Sequence, residues 1–258
     1  KKIPSTTLLM ALGFPRDEIL NLFHDKIRFD FIDNNKLKTK FIPQRYKNYK
    51  LKNDLVNADN NKKVLKEGAK VNIPIAMKLQ KEGLKNIFMS LDEVYGRYFA
   101  DDIFNEKTGE IYFESGDEVT NEALEKLSAL KIKSFYISEI DGLNIGSYLR
   151  NTLIIDKNNT TNEAIMDIYR LLRPGEPPTL ETSKNLFNNL FFNKTRYDLS
   201  DVGRVKLNSR LEIDCDPNIT VLRKEDVIKI VETMLKLKDG KEEVDDIDHL
   251  GNRRVRSV

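Results

Sequence analysis

Acidic and basic side chains meet abruptly in EEVDDIDHLGNRRVRSV (242–258). Asp245, Asp246 and Asp248 run into Arg253, Arg254 and Arg256, with Asn252 between the clusters. A carboxylate offers only acceptors and arginine a planar fork of donors, so such a stretch can pair within itself or grip an outside partner. Taken alone, it is a solvated charged connector with internal salt bridges. Other chemistry-bearing types are sparse. A single Cys215 permits neither an internal disulfide framework nor a Cys-based zinc site, and His24 and His249 stand too far apart in sequence for a His-rich metal site. His249 has no sequence partner and takes a surface or structural role, while Cys215, in DCDP, is a loop residue with no redox task. Neither a Ser/His/Asp arrangement nor a phosphate-cradling glycine loop is present to suggest catalysis.

The composition bounds the rest. At 258 residues, the chain holds one large domain or two ordinary ones. Its 40% apolar residues allow true cores, while 33% charged residues and the absence of Trp imply wide solvated surface. No apolar run approaches the roughly 20 residues that span a bilayer, and no apolar region follows the basic start, so no membrane segment or signal peptide is expected. A net charge of +2 gives no whole-molecule field that drives the chain onto nucleic acid. The expected location is cytoplasmic. The sequence begins KKIPSTT, without an initiator Met, and stops on RSV without a cap or turn, which is expected of a piece of a larger protein.

The elements that must position these residues fall into two kinds. VLKEGAKVNIPIAMKLQKEGLKNIFM (64–89) and YFESGDEVTNEALEKLSALKIKSFYI (112–137) align without a gap, matching Gly68 to Gly116, Val71 to Val119 and Leu79 to Leu127. Each predicts a strand, a glycine turn, a helix opened by Asn72 or Thr120, and a second strand. Between them, EVYGRYFADDIFNEKTGEIYF predicts a hairpin turning at 105–109. With NKLKTKFIP (35–43), these make a β-rich body over 25–147, the duplicated units burying each other's apolar faces. The flanks are helical. STTLLMALGFPRDEILNLF carries two short helical patterns broken at Gly13–Pro15. Thr160 and Glu163 form a capping box before AIMDIYRLLR, and Pro174, Pro177 and Pro178 stop that helix. LETSKNLFNNLFF and DVIKIVETMLKLKDG (226–240) supply two further amphipathic helices. The expected fold class is α+β: a helical domain of residues 1–24 and 148–240 interrupted by an inserted domain at 25–147, with 241–258 as a connector.

Three stretches, RPGEPPTLETSKNLFNNLFF (173–192), RYDLSDVGRVKLN (196–208) and GKEEVDDIDHLGNRRVRSV (240–258), together resemble the β subunit of bacterial DNA-directed RNA polymerase. KIPSTTLLMALG (2–13) fits the same subunit upstream, and the middle is similar in arrangement to the lineage-specific insertion of its lobe domain. The sequence departs from the family at Arg223, where a small hydroxyl cap is common, and at Ser147, where proline is usual. The resemblance implies a part of a nucleotidyltransferase that itself lacks the active site, whose magnesium is held by another subunit, so no cofactor is expected here. It implies DNA, the α, β′ and ω subunits and a sigma factor as partners, and a place at the bacterial nucleoid. It further implies that Arg173, Ile247, Asp248 and Arg253 line a pocket for a flipped non-template guanine. That chemistry is sound, since Asp248 can accept from the N1–H and N2–H₂ edge that guanine alone presents, provided the strand is single. The competing expectation is an inserted domain that acts mainly as a docking module for transcription regulators.

Overall fold

The computed structural model describes residues 2–33, 35–47, 49–105, 107–142, 144–246 and 248–249. In chain order the helices and strands are α1 (Ser5–Ala11), β1 (Lys26–Asp33), β2 (Lys36–Lys40), β3 (Tyr49–Lys50), β4 (Leu55–Asn57), β5 (Lys63–Leu65), β6 (Lys70–Val71), α2 (Ile73–Lys81), β7 (Asn86–Ser90), β8 (Ile103–Phe104), β9 (Ile111–Phe113), α3 (Asn121–Ala129), β10 (Ser134–Ser138), α4 (Tyr148–Ile155), α5 (Thr161–Leu172), α6 (Leu180–Phe191), α7 (Ser200–Leu211) and α8 (Lys224–Lys238). The fold class is α+β, with antiparallel sheets. The chain divides into two units, one of residues up to Phe23 and from Asp141 onward, the other His24–Ile140. No helix among the described residues is long and apolar enough to cross a membrane.

The His24–Ile140 unit is built on a six-stranded sheet in the order β10-β1-β2-β7-β4-β5. KIRFDFID alternates apolar and polar residues, so β1 turns Ile27 and Phe29 to a buried face. Phe29 lies opposite Phe135 of β10 and Thr39 of β2. Asn72 caps α2 by accepting from the Ile75 N–H, and Thr120 caps α3 by accepting from that of Ala123. Leu124 and Leu127 of α3 join Phe29, Phe99 and Phe135 in one core, while Ala76 of α2 joins Phe41, Leu55 and Ile87 in a second. β8 and β9 pair as a hairpin.

The other unit is helical. Leu9 and Met10 of α1, Leu149 and Leu153 of α4, Ile165 and Ile168 of α5, Phe187 of α6 and Val227 of α8 share its core. The second N-terminal helical pattern is realised as two 3-10 turns, Arg16–Glu18 and Leu20–Leu22, set apart from α1 by the left-handed Gly13 (φ 99°) and by Pro15. A buried polar seam fixes α1 to α4. The Thr6 and Thr7 hydroxyls donate to Asp156 at 2.5 and 2.7 Å, and Arg16 donates to the carbonyls of Leu153, Asp156 and Asn158 at 2.7–3.0 Å. The Leu153 carbonyl in the last turn of α4, and those of Asp156 and Asn158 just past it, are thereby satisfied by a side chain from near the start of the sequence. Residues 141–147 go with this unit, and Gly146 N–H donates to Asp239 at 3.0 Å.

Candidate nucleic-acid interface

Arg173 is placed by the way α5 starts and stops. Thr160 accepts from the Glu163 N–H at 3.3 Å, and the Glu163 carboxylate takes the N–H groups of Asn159 and Thr160. Those backbone bonds, from Asn159 first, hold the Glu163 carboxyl below its usual range. Ala164, Ile165, Ile168 and Tyr169 are buried, which sets the helix rotation and leaves Arg173 exposed at its C-terminal end. A cation is favoured at that end by the helix dipole. Arg173 Nη1 lies 3.4 Å from Glu176, whose carboxylate also accepts from the Tyr169 hydroxyl at 2.7 Å. The Tyr169 bond, then that of Arg173, lowers the Glu176 pKa. With its side chain 53% exposed, Arg173 can still reach an outside acceptor.

Asp248 lies in the connector that follows α8. Gly240 takes a left-handed φ of 68° just past the helix, and the Lys241 N–H closes the end on the Lys236 carbonyl at 2.9 Å. Over the described residues 241–246 the chain then runs without helix or strand, held chiefly by Arg210. Arg210, in the last turn of α7, donates from Nε to both Asp245 oxygens at 2.9 and 3.0 Å. Its Nη1 reaches Glu242 at 3.1 Å and its Nη2 the Glu243 carbonyl at 3.3 Å. Just beyond, the Asp248 N–H donates to Asp246 Oδ1 at 2.9 Å, and Asp248 is exposed. Of the four residues expected to form the pocket, Arg173 and Asp248 thus sit in the same unit, at the end of α5 and in the connector. Ile247 and Arg253 lie outside the described residues.

Arg210 and a second arginine, Arg204, organise this region although neither is among the site residues expected from the sequence. Arg204 of α7 is wholly buried, donating to the Ile219 carbonyl at 2.6 Å, to that of Val221, and to Asp226 at 2.8 Å. Asp226 also takes the Arg223 N–H at 2.8 Å, which explains how α8 starts without a small hydroxyl cap. Burial pushes the Asp226 carboxyl up, but the bonds from Arg204 and Arg223 outweigh it and hold the pKa below normal. Cys215 is buried in the loop between α7 and α8, where its carbonyl accepts from Asn208 at 2.6 Å. Among the described residues, no three His, Cys, Asp or Glu side chains are grouped to hold a metal ion.

Residues 138–256 match the family described as RNA polymerase Rpb2, domain 2, which takes in the whole connector up to Arg256. Across its full length the chain is 44% identical to the DNA-directed RNA polymerase subunit beta of Jannaschia sp. (strain CCS1), 45% to that of Rhizobium leguminosarum bv. trifolii (strain WSM2304) and 48% to that of Chelativorans sp. (strain BNC1). The resemblance carried by the three motifs is therefore borne out along the entire chain, inserted unit included. The chain belongs to the DNA-directed RNA polymerase β subunit family. It spans 19% of the length of each of these relatives.

Proposed function

We propose that this chain is the lobe portion of an RNA polymerase β subunit and that it contacts the non-template strand near the downstream edge of the transcription bubble. The parent enzyme performs nucleotidyl transfer with residues outside this stretch, in a complex with α, β′ and ω subunits and a sigma factor, on DNA. Support comes above all from the whole-length similarity to β subunits, because the family match at 138–256 contains Arg173, Ile247, Asp248 and Arg253. The exposed Asp248 carboxylate accepts from the guanine edge, and the arginines hold phosphate or base.

The test is the open-complex lifetime of assembled polymerase on two templates that differ only in that non-template base. Wild type is expected to prefer guanine. Asp248→Ala removes the acceptor and is expected to cost about 1–3 kcal/mol of discrimination, the range for one good bidentate base contact, while leaving the lifetime on the other template nearly unchanged. An unchanged guanine preference returns residues 242–258 to the role of a charged connector.

A docking role for the inserted unit is the second reading, and one observation favours it. Phe104 and Ile111 face each other across the β8–β9 hairpin and are both about half exposed, at 54% and 52%. A paired apolar patch at a hairpin suits a protein partner. Specific capture of a purified transcription regulator by residues 24–140, lost when Phe104 and Ile111 become serine, is the expected result under this reading.

A further inference from the structure

Arg210 engages four acceptor atoms on Glu242, Glu243 and Asp245, all within a segment that has no helix or strand to fix its path. Ordering irregular backbone costs conformational entropy, which local contacts must offset. An isolated exposed ion pair does this poorly. Arg210 is different in two respects. Its planar guanidinium spreads three nitrogens over three residues at once, Nε to Asp245, Nη1 to Glu242 and Nη2 to the Glu243 carbonyl, a fixed fan of donors that lysine's single ammonium does not offer. It also stands inside a network, for Glu242 meets Lys236 at 4.0 Å, Lys236 meets Glu232 at 2.9 Å, and Glu232 meets Lys229 at 2.7 Å. The connector is thereby tied to the ends of two helices, α7 through Arg210 and α8 through Lys236.

The contact carries forward in sequence. Asp245 is held by Arg210, Asp246 follows it directly, and the Asp246 carboxylate takes the N–H of Asp248. The carboxylate assigned to guanine therefore lies three positions after the arginine's grip. We propose that Arg210 is a positioning residue for guanine readout: by clamping Glu242 and Asp245 it sets the connector so that Asp248 presents its carboxylate to the base. This inference rests on the guanine-pocket reading above. Arg210 itself touches no base, and its removal frees the connector without altering the recognising group.

The experiment uses assembled polymerase and the same pair of templates, with Asp248→Ala as reference. Arg210→Ala and Asp245→Ala are each expected to cut the guanine-to-other lifetime ratio about five- to tenfold, and the double variant no further, because both changes remove the same contact. The lifetime on the non-guanine template stays at the wild-type value, which a general loss of structure would not allow. A wild-type ratio in the Arg210→Ala enzyme while Asp248→Ala loses the preference overturns the positioning role alone. Equal shortening on both templates overturns it as well, marking Arg210 as merely structural. Guanine preference retained by Asp248→Ala removes the pocket reading and the positioning role with it.

Discussion

Arg204 has no solvent exposure, and its partner Asp226 has none either. Removing one member of such a pair leaves an uncompensated buried charge, so Asp226→Asn is expected to destabilise the helical unit by about 3–5 kcal/mol at neutral pH. Urea unfolding of the chain measures this. The pH dependence has a definite sign. Folding holds the Asp226 carboxyl below its ordinary value of 3.8, so the contribution is fully present above that pH and is lost as pH falls through the folded value. The stability gap between wild type and Asp226→Asn should therefore narrow only in strong acid, below about pH 3.8. A gap that closes near neutrality contradicts the assignment. Arg210 works differently, since it is partly exposed and holds a segment instead of a core.

At the level of elements, the positions that the sequence made legible are those whose burial follows a simple period. The Thr160 capping box, the Asn72 and Thr120 caps and the proline stop after Leu172 all stand where the pattern puts them. α7 was not legible as a helix because its buried residues are Gly203, Arg204 and the terminal Leu211, not an apolar stripe, while Val202 and Val205 face outward at 63% and 50% exposure. In α8 only Val227 and Val231 of the apolar stripe are buried, and Met234 is 54% exposed. β1 carried its signal in the alternating Ile27, Phe29 and Phe31 but was passed over beside the stronger repeat. Of the candidate site, the residue types were legible and the Arg210 clamp was not, since 35 residues separate Arg210 from Asp245. β1 and β10 bear on a further prediction. They are neighbours in the sheet, pairing Lys26 with Ser138, and the Glu139 N–H donates to the Asp25 carbonyl at 2.9 Å. The inserted unit therefore enters and leaves on adjacent strands. Replacing residues 24–140 with a short flexible linker is expected to leave a helical unit that unfolds cooperatively, checked by circular dichroism during heating. A remainder without a thermal transition contradicts the division into two units.

For the molecule as a whole, the near-balanced charge means that the chain's own field supplies little drive toward DNA. Under the proposed function, contact with the non-template strand comes from the assembled enzyme, which would bring a single strand to the end of α5 and to the connector. On that proposal specificity would rest on few groups, Asp248 above all, with the arginines giving grip without sequence information. The most direct measurement places a photo-reactive residue at His249, beside Asp248, in the assembled polymerase, and maps its crosslinks on an open promoter complex. The account predicts one dominant crosslink, to the non-template strand near the downstream edge of the bubble, strongest when guanine occupies that position and weakened by Asp248→Ala. Crosslinks only to duplex DNA or to other subunits, unaffected by the base or by Asp248, would contradict it.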